Sequence, residues 1–325
     1  MKDDYMKDEI MVSIICNTYN QQDYIAQTLE GFLKQKVHFN FEILIHDDAS
    51  DDMTSDIICE YQKKYPKLIK PIYQKENQYK KGVNITNVYQ IPRAKGKYIA
   101  FCEGDDYWID DHKLQIQVNA LEENLKADMC AHAVKIEQNS IIKGKVAPSN
   151  KNEILNVERI ILNGGAYIGT CSIMYRSKIN ENMPRFRREY SIDYTIQIHG
   201  ALQGGIIYIN REMGVYRIGS KGSWTERVLR QPQKVIEHYY KMLEVLDNIN
   251  EDTGGKYKDI IEFEKKEYLF KMYYAQNDEK NMKLIARELQ QKNNRKIYRF
   301  FTLKESLKIN IKYLFPFLYK YLHKK

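Results

Sequence analysis

Adjacent acidic residues follow two separate apolar segments of the sequence. Asp47 and Asp48 come directly after FEILIH, and Asp105 and Asp106 follow YIAFC, with Glu103 two residues before Asp105. Acidic residues are poor strand formers and are costly beside apolar runs unless a partner compensates their charge. Turns and helix caps explain single acids at strand ends, but not adjacent acids after two strands. A divalent cation explains them, because Mg²⁺ and Mn²⁺ prefer hard oxygen ligands and complete their shells with substrate phosphates.

The N-terminal part of the sequence supplies a scaffold that brings these acids together. Apolar runs predict strands at 12–16, 41–45, 68–73 and 98–102, and helical patterns lie near 22–35, 53–65, 84–95 and 111–125. Strands that alternate with helices predict an α/β fold, with a mostly parallel sheet flanked by helices. Ligands bind at the carboxyl ends of such strands. We therefore expect NTYN, HDDASDD and EGDDYW, each of which follows a strand, to meet at one edge of the sheet.

The rest of the sequence changes from a mixed pattern to a helical one. Between 136 and 225 we expect strands at 171–175 and 205–209 and a helix near 192–203. From residue 226 onward the pattern is helical, with a break at DTGG, residues 252–255. The predicted division is a catalytic domain over 1–225 and a helical C-terminal region over 226–325.

Charge and cysteine patterns exclude several classes of protein. The net charge is +8, but Arg295–Lys325 alone contains nine basic residues and one acidic residue, so the rest of the chain is neutral. A neutral body argues against a nucleic-acid partner. The five cysteines are isolated, which indicates neither a zinc site nor a disulfide framework and favours a reducing compartment. A polar N-terminus and the lack of a long apolar run predict a cytoplasmic protein.

The segments VSIICNTYNQQDYIAQTL, EILIHDDASDDMT and AKGKYIAFCEGDDYW together resemble the family 2 inverting glycosyltransferases of the GT-A fold. The resemblance covers about residues 1–225. It implies a metal-dependent, hexosyltransferase-type enzyme that moves a sugar from a nucleotide diphosphate donor to an acceptor hydroxyl. The implied cofactor is Mn²⁺ or Mg²⁺, and the implied pathway is the biosynthesis of capsular or other surface polysaccharide.

The resemblance also implies a donor site. Asn17 and Tyr19 match the loop that packs on the base and ribose, and Asp48 matches the acid that accepts a hydrogen bond from uracil, which favours a UDP-sugar. Asp105 and Asp106 match the D-x-D-type pair, in which one acid reaches the ribose and the other binds the metal. The sequence leaves open which acid does which.

Two further positions take roles from the resemblance, and one departs from it. Glu103 stands where many members have the first Asp of the motif, and it can serve in its place, while Arg217 is expected to contact the diphosphate. Apart from the resemblance, Lys81 or its neighbour Lys80 is expected to reach the diphosphate from the loop ENQYKKGVN, the alternative being that both are solvated surface lysines. Gly219 occupies a position at which many relatives have a histidine that contacts metal or phosphate.

An inverting transfer needs a carboxylate base on the acceptor side. Asp193, at the start of the predicted helix near 192–203, resembles the family's base, and Glu189 is the alternative. Asp193 could instead only cap that helix. The segment 164–176 resembles the acceptor side of the family, although its small residues could equally serve packing.

Two other functions compete with this interpretation. Sugar-phosphate nucleotidyltransferases have a glycine-rich phosphate loop after the first strand, whereas this chain has NTYN. A catalytically degenerate donor-binding scaffold of a polysaccharide assembly complex is the non-enzymatic alternative. The glycine at position 219 favours the scaffold, and the acids at positions 48, 105, 106 and 193 speak against it.

The C-terminal tail predicts a basic amphipathic helix. Lysines recur at multiples of four residues among apolar residues, and Pro316 is expected to kink or divide the helix; these lysines are Lys304, Lys308, Lys312, Lys320 and Lys324. Such a helix suits an anionic membrane surface, which would place the protein peripherally on the inner face of the membrane and near a lipid-linked saccharide acceptor. The alternative is that the apolar side packs on protein.

Overall fold

The computed structural model describes residues 9–190, 192–220, 231–291, 297, 299, 308–309 and 312–316. These residues form two compact units. The first comprises Met1–Val157 and Gly165–Glu226, and the second comprises Glu158–Gly164 and Arg227–Lys325. The short segment 158–164 therefore groups with the helical unit, which the sequence did not indicate.

A ten-stranded mixed sheet forms the frame of the first unit. Its strands are β1 (Ile10–Thr18), β2 (Asn40–Asp47), β3 (Ile69–Tyr73), β4 (Tyr98–Phe101), β5 (Tyr107–Trp108), β6 (Met129–Gln138), β7 (Ile141–Val146), β8 (Glu153–Leu155), β9 (Met174–Arg176) and β10 (Ile206–Arg217). The strand order is β3-β2-β1-β4-β9-β6-β10-β5, with β7 beside β6 and β8 beside β10. The part β3-β2-β1-β4 is parallel, as predicted. Beyond β4 the pairing is mixed, because β9 runs antiparallel to both β4 and β6.

Helices flank this sheet, which confirms the α/β class predicted from the sequence. They are α1 (Ile25–Leu33), α2 (Thr54–Lys64), α3 (Lys113–Glu123), α5 (Arg185–Glu189) and α6 (Asp193–Ala201). The helix α4 (Val157–Asn163) belongs, apart from its first residue, to the second unit. Alternate side chains of β1, such as Val12 and Ile14, enter one core with Ile43 of β2 and with Leu29 and Phe32 of α1. These strands are apolar on both faces because helices or loops cover both.

The segment predicted as a helix at 84–95 is shorter and irregular. A π-helical turn covers Thr86–Gln90, and a 3₁₀ turn over Ile91–Arg93 follows it. The Gln90 amide donates to the Leu44 carbonyl at 3.1 Å, and the Arg93 guanidinium donates to the Ile45 carbonyl at 2.9 Å. The segment is therefore held by strand carbonyls through its polar side chains rather than by an apolar face.

The second unit is helical, as the sequence predicted. Its long helices are α7 (Pro232–Asp252), α8 (Lys258–Ala275) and α9 (Glu279–Leu289). The predicted break at 252–255 separates α7 from α8, where Gly254 and Gly255 both have positive φ angles. None of the described helices is long and apolar enough to cross a membrane.

The described part of the C-terminal tail packs on protein. Residues 308–309 and 312–314 are helical, and the helix is interrupted at Phe315, directly before Pro316. Lys312, predicted to face lipid, instead donates to Glu267 Oε2 at 2.6 Å, and the neighbouring Tyr313 is buried. This corrects the membrane prediction at Lys312, because a buried ion pair is not available to a lipid headgroup. Lys304, Lys320 and Lys324 lie outside the described residues.

Candidate active site

Asn17, near the end of β1, connects this strand to the acidic loop after β4, which comprises residues 102–106. Its side-chain amide donates to Thr86 Oγ1 at 3.2 Å, and its main-chain carbonyl accepts the Gly104 N–H at 3.0 Å. Asn17 also hydrogen-bonds Glu103. The residue therefore joins two of the three loops that the sequence predicted at one sheet edge. Its contact with a nucleotide stays a prediction.

Asp48 holds a neighbouring loop in place. Its Oδ1 accepts the Gln78 N–H at 2.8 Å and its Oδ2 accepts the Tyr79 N–H at 3.0 Å, at the start of a 3₁₀ turn over Tyr79–Lys81. Both carboxylate oxygens thus cap backbone donors that the turn leaves without an internal partner. A hydrogen bond from uracil to Asp48, which stays a prediction, would have to share these oxygens.

The two lysines of this loop differ in position. The Lys80 ammonium lies 5.5 Å from the centre of the Tyr19 ring. Lys81 instead forms a surface ion pair with Glu76, and its side chain is half exposed. Lys80, rather than the predicted Lys81, therefore lies beside the tyrosine expected to contact the donor.

Gly104 lets the acidic loop approach the loop after β1. A Cβ atom at this position would lie 2.4 Å from Gln21 Oε1 and 2.7 Å from Thr18 Oγ1. Such contacts are shorter than van der Waals distance, so a larger residue would push the two loops apart. The glycine between Glu103 and Asp105 thus has a packing reason that the sequence alone did not show.

Asp105 and Asp106, although adjacent, have different environments. Asp105 is partly exposed and accepts a hydrogen bond from the Ser220 hydroxyl. Asp106 is 1% exposed, its Oδ1 accepts the Arg217 backbone N–H at 2.9 Å, and the Cys171 thiol also hydrogen-bonds its carboxyl group. Burial, and then the charge of Asp105, raise the pKa of Asp106 well above its usual value. Asp105 is accessible to a ligand, whereas Asp106 is bonded within the protein.

Three carboxylates share one electrostatic environment, and we call them the edge carboxylates: Glu103, Asp105 and Asp193. Burial raises the pKa of Glu103 to about 8, and the negative charges of Asp193 and Asp105 contribute. Burial also raises the pKa of Asp105. Glu103 therefore lies among negative charges that are not fully compensated, which is a common property of functional sites.

Asp193 begins α6, as the sequence predicted, and its carboxylate is held by a second residue. Thr170 donates its hydroxyl to Asp193 Oδ2 at 2.6 Å. Although the Asp193 side chain is accessible to solvent, the surrounding protein displaces water and raises its pKa, while the Thr170 hydrogen bond opposes the rise. The alternative base, Glu189, is in an ion pair with Arg185 one turn earlier on α5, at 3.1 Å.

Arg217 is extensively bonded to protein. Its Nε donates to Glu137 at 2.9 Å, its Nη1 donates to the Asp105 carbonyl at 2.6 Å, and its Nη2 donates to Gln27. The guanidinium also lies 4.3 Å from the centre of the Tyr107 ring. This arrangement makes Arg217 a support for the acidic loop, and a contact with diphosphate would require it to exchange these partners.

Residues near position 219 complete the described site. Gly219 has a φ of +78°, a backbone conformation that side chains rarely adopt, and nothing lies within 4 Å of a Cβ built there. Ser220, which follows it, bonds Asp105. Lys221 and Trp224, which follow Ser220 in the sequence, lie outside the described residues.

Sequence reasoning missed the residues that orient the site rather than form it. Thr170 lies in the segment assigned to the acceptor side, but a threonine among small residues carries no sign of a bond to a distant aspartate. Glu137 lies on β6, which the sequence did not predict as a strand. Only the tertiary contacts of Thr170 and Glu137 identify them.

The edge carboxylates suit a divalent cation. Glu103 and Asp105 offer hard oxygen donors whose negative charges repel each other, which is the chemistry that Mg²⁺ and Mn²⁺ require. Among the described residues there is no group of three or more His, Cys, Asp or Glu side chains arranged to hold a metal. A site with two protein carboxylates still fits, because Mg²⁺ commonly takes its remaining ligands from phosphates and water.

Comparison with known proteins identifies the family to which this chain belongs. The sequence profile of glycosyl transferase family 2 matches residues 13–182, just over half of the chain, so the protein belongs to that family. An uncharacterised protein of Mycobacterium bovis, Mb1547, is 34% identical over 215 residues, which cover 66% of this chain and 60% of the relative. The Escherichia coli enzyme WfgD, a UDP-Glc:α-D-GlcNAc-diphosphoundecaprenol β-1,3-glucosyltransferase, is 33% identical over 141 residues, or 43% of this chain and 53% of that enzyme. This chain thus spans less than two thirds of either relative.

Solved structures show the same fold at low sequence identity. Staphylococcus aureus TarS 1–349 in complex with UDP-GlcNAc has a TM-score of 0.56 and 17% identity, with 94% of this chain and 91% of that chain covered. The mannosyltransferase PcManGT of Pyrobaculum calidifontis, in complex with GDP-Man and Mn²⁺, has a TM-score of 0.58 and 15% identity, with 98% and 88% covered. The GT-A type of fold predicted from the sequence is confirmed.

Proposed function

We propose that this protein is an inverting, metal-dependent glycosyltransferase that moves a sugar from a UDP-sugar to an acceptor hydroxyl in surface polysaccharide biosynthesis. The observation that carries the proposal is that Asp193 lies beside the end of β4, because Thr170 donates to Asp193 Oδ2 at 2.6 Å and Ile173, three residues after Thr170, accepts the Phe101 N–H at 3.1 Å. One edge of the unit thus holds both a candidate base and the acidic loop after β4. This is the arrangement that direct displacement at a sugar carbon needs.

Asp193 is the proposed general base. A base must lie within hydrogen-bond reach of the proton it removes, and its pKa should approach the working pH. The Thr170 hydrogen bond fixes Oδ2 of Asp193, which leaves Oδ1 to accept the proton of the acceptor hydroxyl. Burial raises the pKa of Asp193, so its carboxylate is a stronger base than one in water. The deprotonated acceptor oxygen then attacks the sugar carbon from the side opposite the departing diphosphate.

Glu103 and Asp105 are the proposed metal ligands, which revises the pair Asp105 and Asp106 given by the sequence. Asp106 is bonded to the Arg217 N–H and the Cys171 thiol, so it serves the loop rather than a cation. A divalent cation, when bound, supplies positive charge that stabilises the departing diphosphate. Arg217 and Ser220 hold the acidic loop in the orientation that presents Asp105.

The donor and the pathway are proposed from the relatives. The name of WfgD specifies UDP-Glc and a diphosphoundecaprenol-linked acceptor, and the two structural neighbours were solved with UDP-GlcNAc and with GDP-Man and Mn²⁺. The uracil contact expected of Asp48 favours the uridine donor for this chain, with Tyr19 and Lys80 beside the same loop. A lipid-linked saccharide is the proposed acceptor class.

A donor-binding scaffold without catalysis remains the second candidate. Gly219 favours it, because the position of a possible additional ligand carries no side chain. The deciding experiment screens nucleotide sugars by thermal shift with and without Mn²⁺, and then follows donor consumption and product anomeric configuration by NMR. A donor that stabilises the fold but is never transferred or hydrolysed would identify the scaffold. Product with a retained anomeric configuration would exclude the inverting role of Asp193.

A further inference from the structure

The helical unit contains a group of buried charges that the proposed chemistry does not use. We call it the ionic cluster: Glu264, Glu267, Lys271 and Lys312. Glu264 is 2% exposed and Glu267 is 8% exposed, although both are carboxylates. Positions 264, 267 and 271 are three and four residues apart on α8, so these side chains share one face of the helix. Burying ions costs several kcal/mol per ion unless other groups compensate them.

The compensation within this cluster is incomplete. Lys312 donates to Glu267 Oε2 at 2.6 Å, and the positive charge of Lys271 stabilises ionised Glu264. Within the part of the chain that the structure describes, however, Glu264 Oε2 and Glu267 Oε1 are buried and have no hydrogen-bond partner. A buried carboxylate oxygen without a partner costs free energy, which a ligand that donates a hydrogen bond would recover.

Both carboxylates line a cavity of about 200 Å³ within the same unit. Lys271 and Lys308 also line it, and Leu162 and Ile309 supply apolar wall. The volume corresponds to several water molecules at about 30 Å³ each, so the cavity has room for a small organic ligand. The lining is mixed, with carboxylates, ammonium groups and aliphatic carbon.

The chemistry of this lining selects one class of ligand. Carboxylate oxygens disfavour an anion, and the ammonium groups of Lys271 and Lys308 disfavour a cation. Hydroxyl groups satisfy both, since each donates one hydrogen bond and accepts others. A hydroxyl can also accept a hydrogen bond from the carboxyl group of Glu264 when that group is protonated. The face of a sugar ring that carries C–H groups can pack against the aliphatic side chains of Leu162 and Ile309.

We propose that the cavity between α4, α8 and the described tail residues of the helical unit binds one neutral sugar unit through hydroxyl contacts to Glu264, Glu267, Lys271 and Lys308. This inference goes beyond the proposed function. It concerns binding in the helical unit and requires no transfer at the edge carboxylates.

Saturation-transfer NMR on the full chain tests the proposal, with the methyl glycosides of glucose, galactose, mannose and N-acetylglucosamine as probes. We expect at least one glycoside to bind, and Glu264→Leu to weaken it roughly tenfold, as expected for the loss of one buried hydrogen bond. Lys308→Met changes an exposed residue and should weaken the same glycoside without affecting the fold. Glu262→Leu is the matched control, because Glu262 is on the same helix but does not line the cavity.

The experiment separates this site from the candidate active site. Asp193→Asn should leave the signal that depends on Glu264 and Lys308 unchanged, so a failure of the transferase proposal does not affect it. Binding that is equal in the wild type, Glu264→Leu and Lys308→Met overturns the proposal, as does the absence of binding by all four glycosides. Inorganic phosphate that binds in a manner dependent on Lys308 would show that the ligand is an anion and overturn the sugar assignment.

Discussion

Two groups of buried or partly buried acids in this protein differ in how their charge is compensated. Among the edge carboxylates, Glu103, Asp105 and Asp193, burial and the charges of Asp193 and Asp105 raise the pKa of Glu103. The charge of Arg217 opposes the raised pKa of Asp105, but its guanidinium is also bonded to Glu137, Gln27 and a carbonyl. The ionic cluster has two carboxylates and two lysines, with one direct pair between Glu267 and Lys312. The edge carboxylates therefore favour a ligand that supplies positive charge, whereas the ionic cluster already holds two ammonium groups and favours a ligand that both donates and accepts hydrogen bonds.

This difference predicts opposite consequences of mutation. Removing an edge carboxylate relieves repulsion and removes a ligand, so activity should fall while stability is kept or rises. Removing one member of the ionic cluster leaves an opposite charge buried alone, so stability should fall first. Two acids do not follow this rule. Asp106 adjoins the edge carboxylates but is bonded within the protein, and Glu264 belongs to the ionic cluster but has a pKa that burial raises to about 8.

The largest expected effect is the loss of the proposed metal ligand. Asp105→Ala should lower transfer by about three orders of magnitude, since a bound cation contributes several kcal/mol of charge stabilisation. EDTA should do the same to the wild type, and added Mn²⁺ should restore it. The measurement is the initial rate of product formation with the donor found by thermal shift, with the melting temperature as the check on folding. Full activity in excess EDTA would contradict the proposal that the edge carboxylates bind a metal needed for transfer.

Replacement of the proposed base should separate binding from chemistry. Asp193→Asn is expected to lower kcat by roughly two to four orders of magnitude and leave donor affinity near the wild-type value. Glu189→Gln is the matched control, because Glu189 is paired with Arg185 on the surface. Donor affinity by calorimetry and kcat by NMR decide the outcome. A loss of affinity without a loss of kcat would assign Asp193 to the donor site instead.

In the ionic cluster the expected effect is on stability. Lys312→Met leaves Glu267 without its direct partner and should destabilise the helical unit by about 3–5 kcal/mol. Lys266→Met is the control, because its pair with Glu288 is partly exposed. Denaturant unfolding gives the free energies. If Lys312→Met is as stable as the control, the tail does not pack through this pair, and the membrane prediction for the tail gains weight.

Replacement of Asp106 tests whether this residue stabilises the fold or binds the metal together with Asp105. Asp106→Ala leaves the Arg217 N–H buried without its acceptor, which should cost about 1–3 kcal/mol of stability. Any loss of activity should then accompany the loss of structure, in contrast to Asp105→Ala. Melting temperature and residual activity are measured on the same preparation. An inactive Asp106→Ala protein with unchanged stability would support the original prediction that Asp106 is a metal ligand.

The last prediction is a pH dependence in the ionic cluster. Burial raises the pKa of Glu264 to about 8 in the folded protein, from about 4.5 in the unfolded chain. Between these values the folded state keeps a proton that the unfolded state has lost, so stability should fall as pH rises, by at most about 1.4 kcal/mol per pH unit. Glu264→Gln should remove this contribution. Denaturant midpoints at pH 5 and pH 8 that shift equally in both proteins would contradict the assignment.

The sequence by itself determined the α/β class, the first parallel strands, the helical C-terminal region and the convergence of the loops at residues 17, 48 and 105. These features follow from local patterns, because strand alternation with helices sets the crossovers, and the crossovers place strand ends at one edge. The strand predicted at 171–175 overlaps β9, but its antiparallel direction depends on pairing with the distant strands β4 and β6, which local patterns do not reveal. The same is true of the irregular turn at 86–93, which polar side chains hold in place.

Only the tertiary structure distinguished Asp105 from Asp106. Asp105 lies in a turn and Asp106 directly follows it, and which of the two is buried depends on distant residues such as Arg217 and Cys171. The pairing of Lys312 with Glu267 could not be predicted from the four-residue spacing of the lysines. That spacing places the lysines on one face of a helix, but it does not show which residues pack against that face. Residue type and spacing define which groups can act, but burial and long-range hydrogen bonds decide which groups are free to do so.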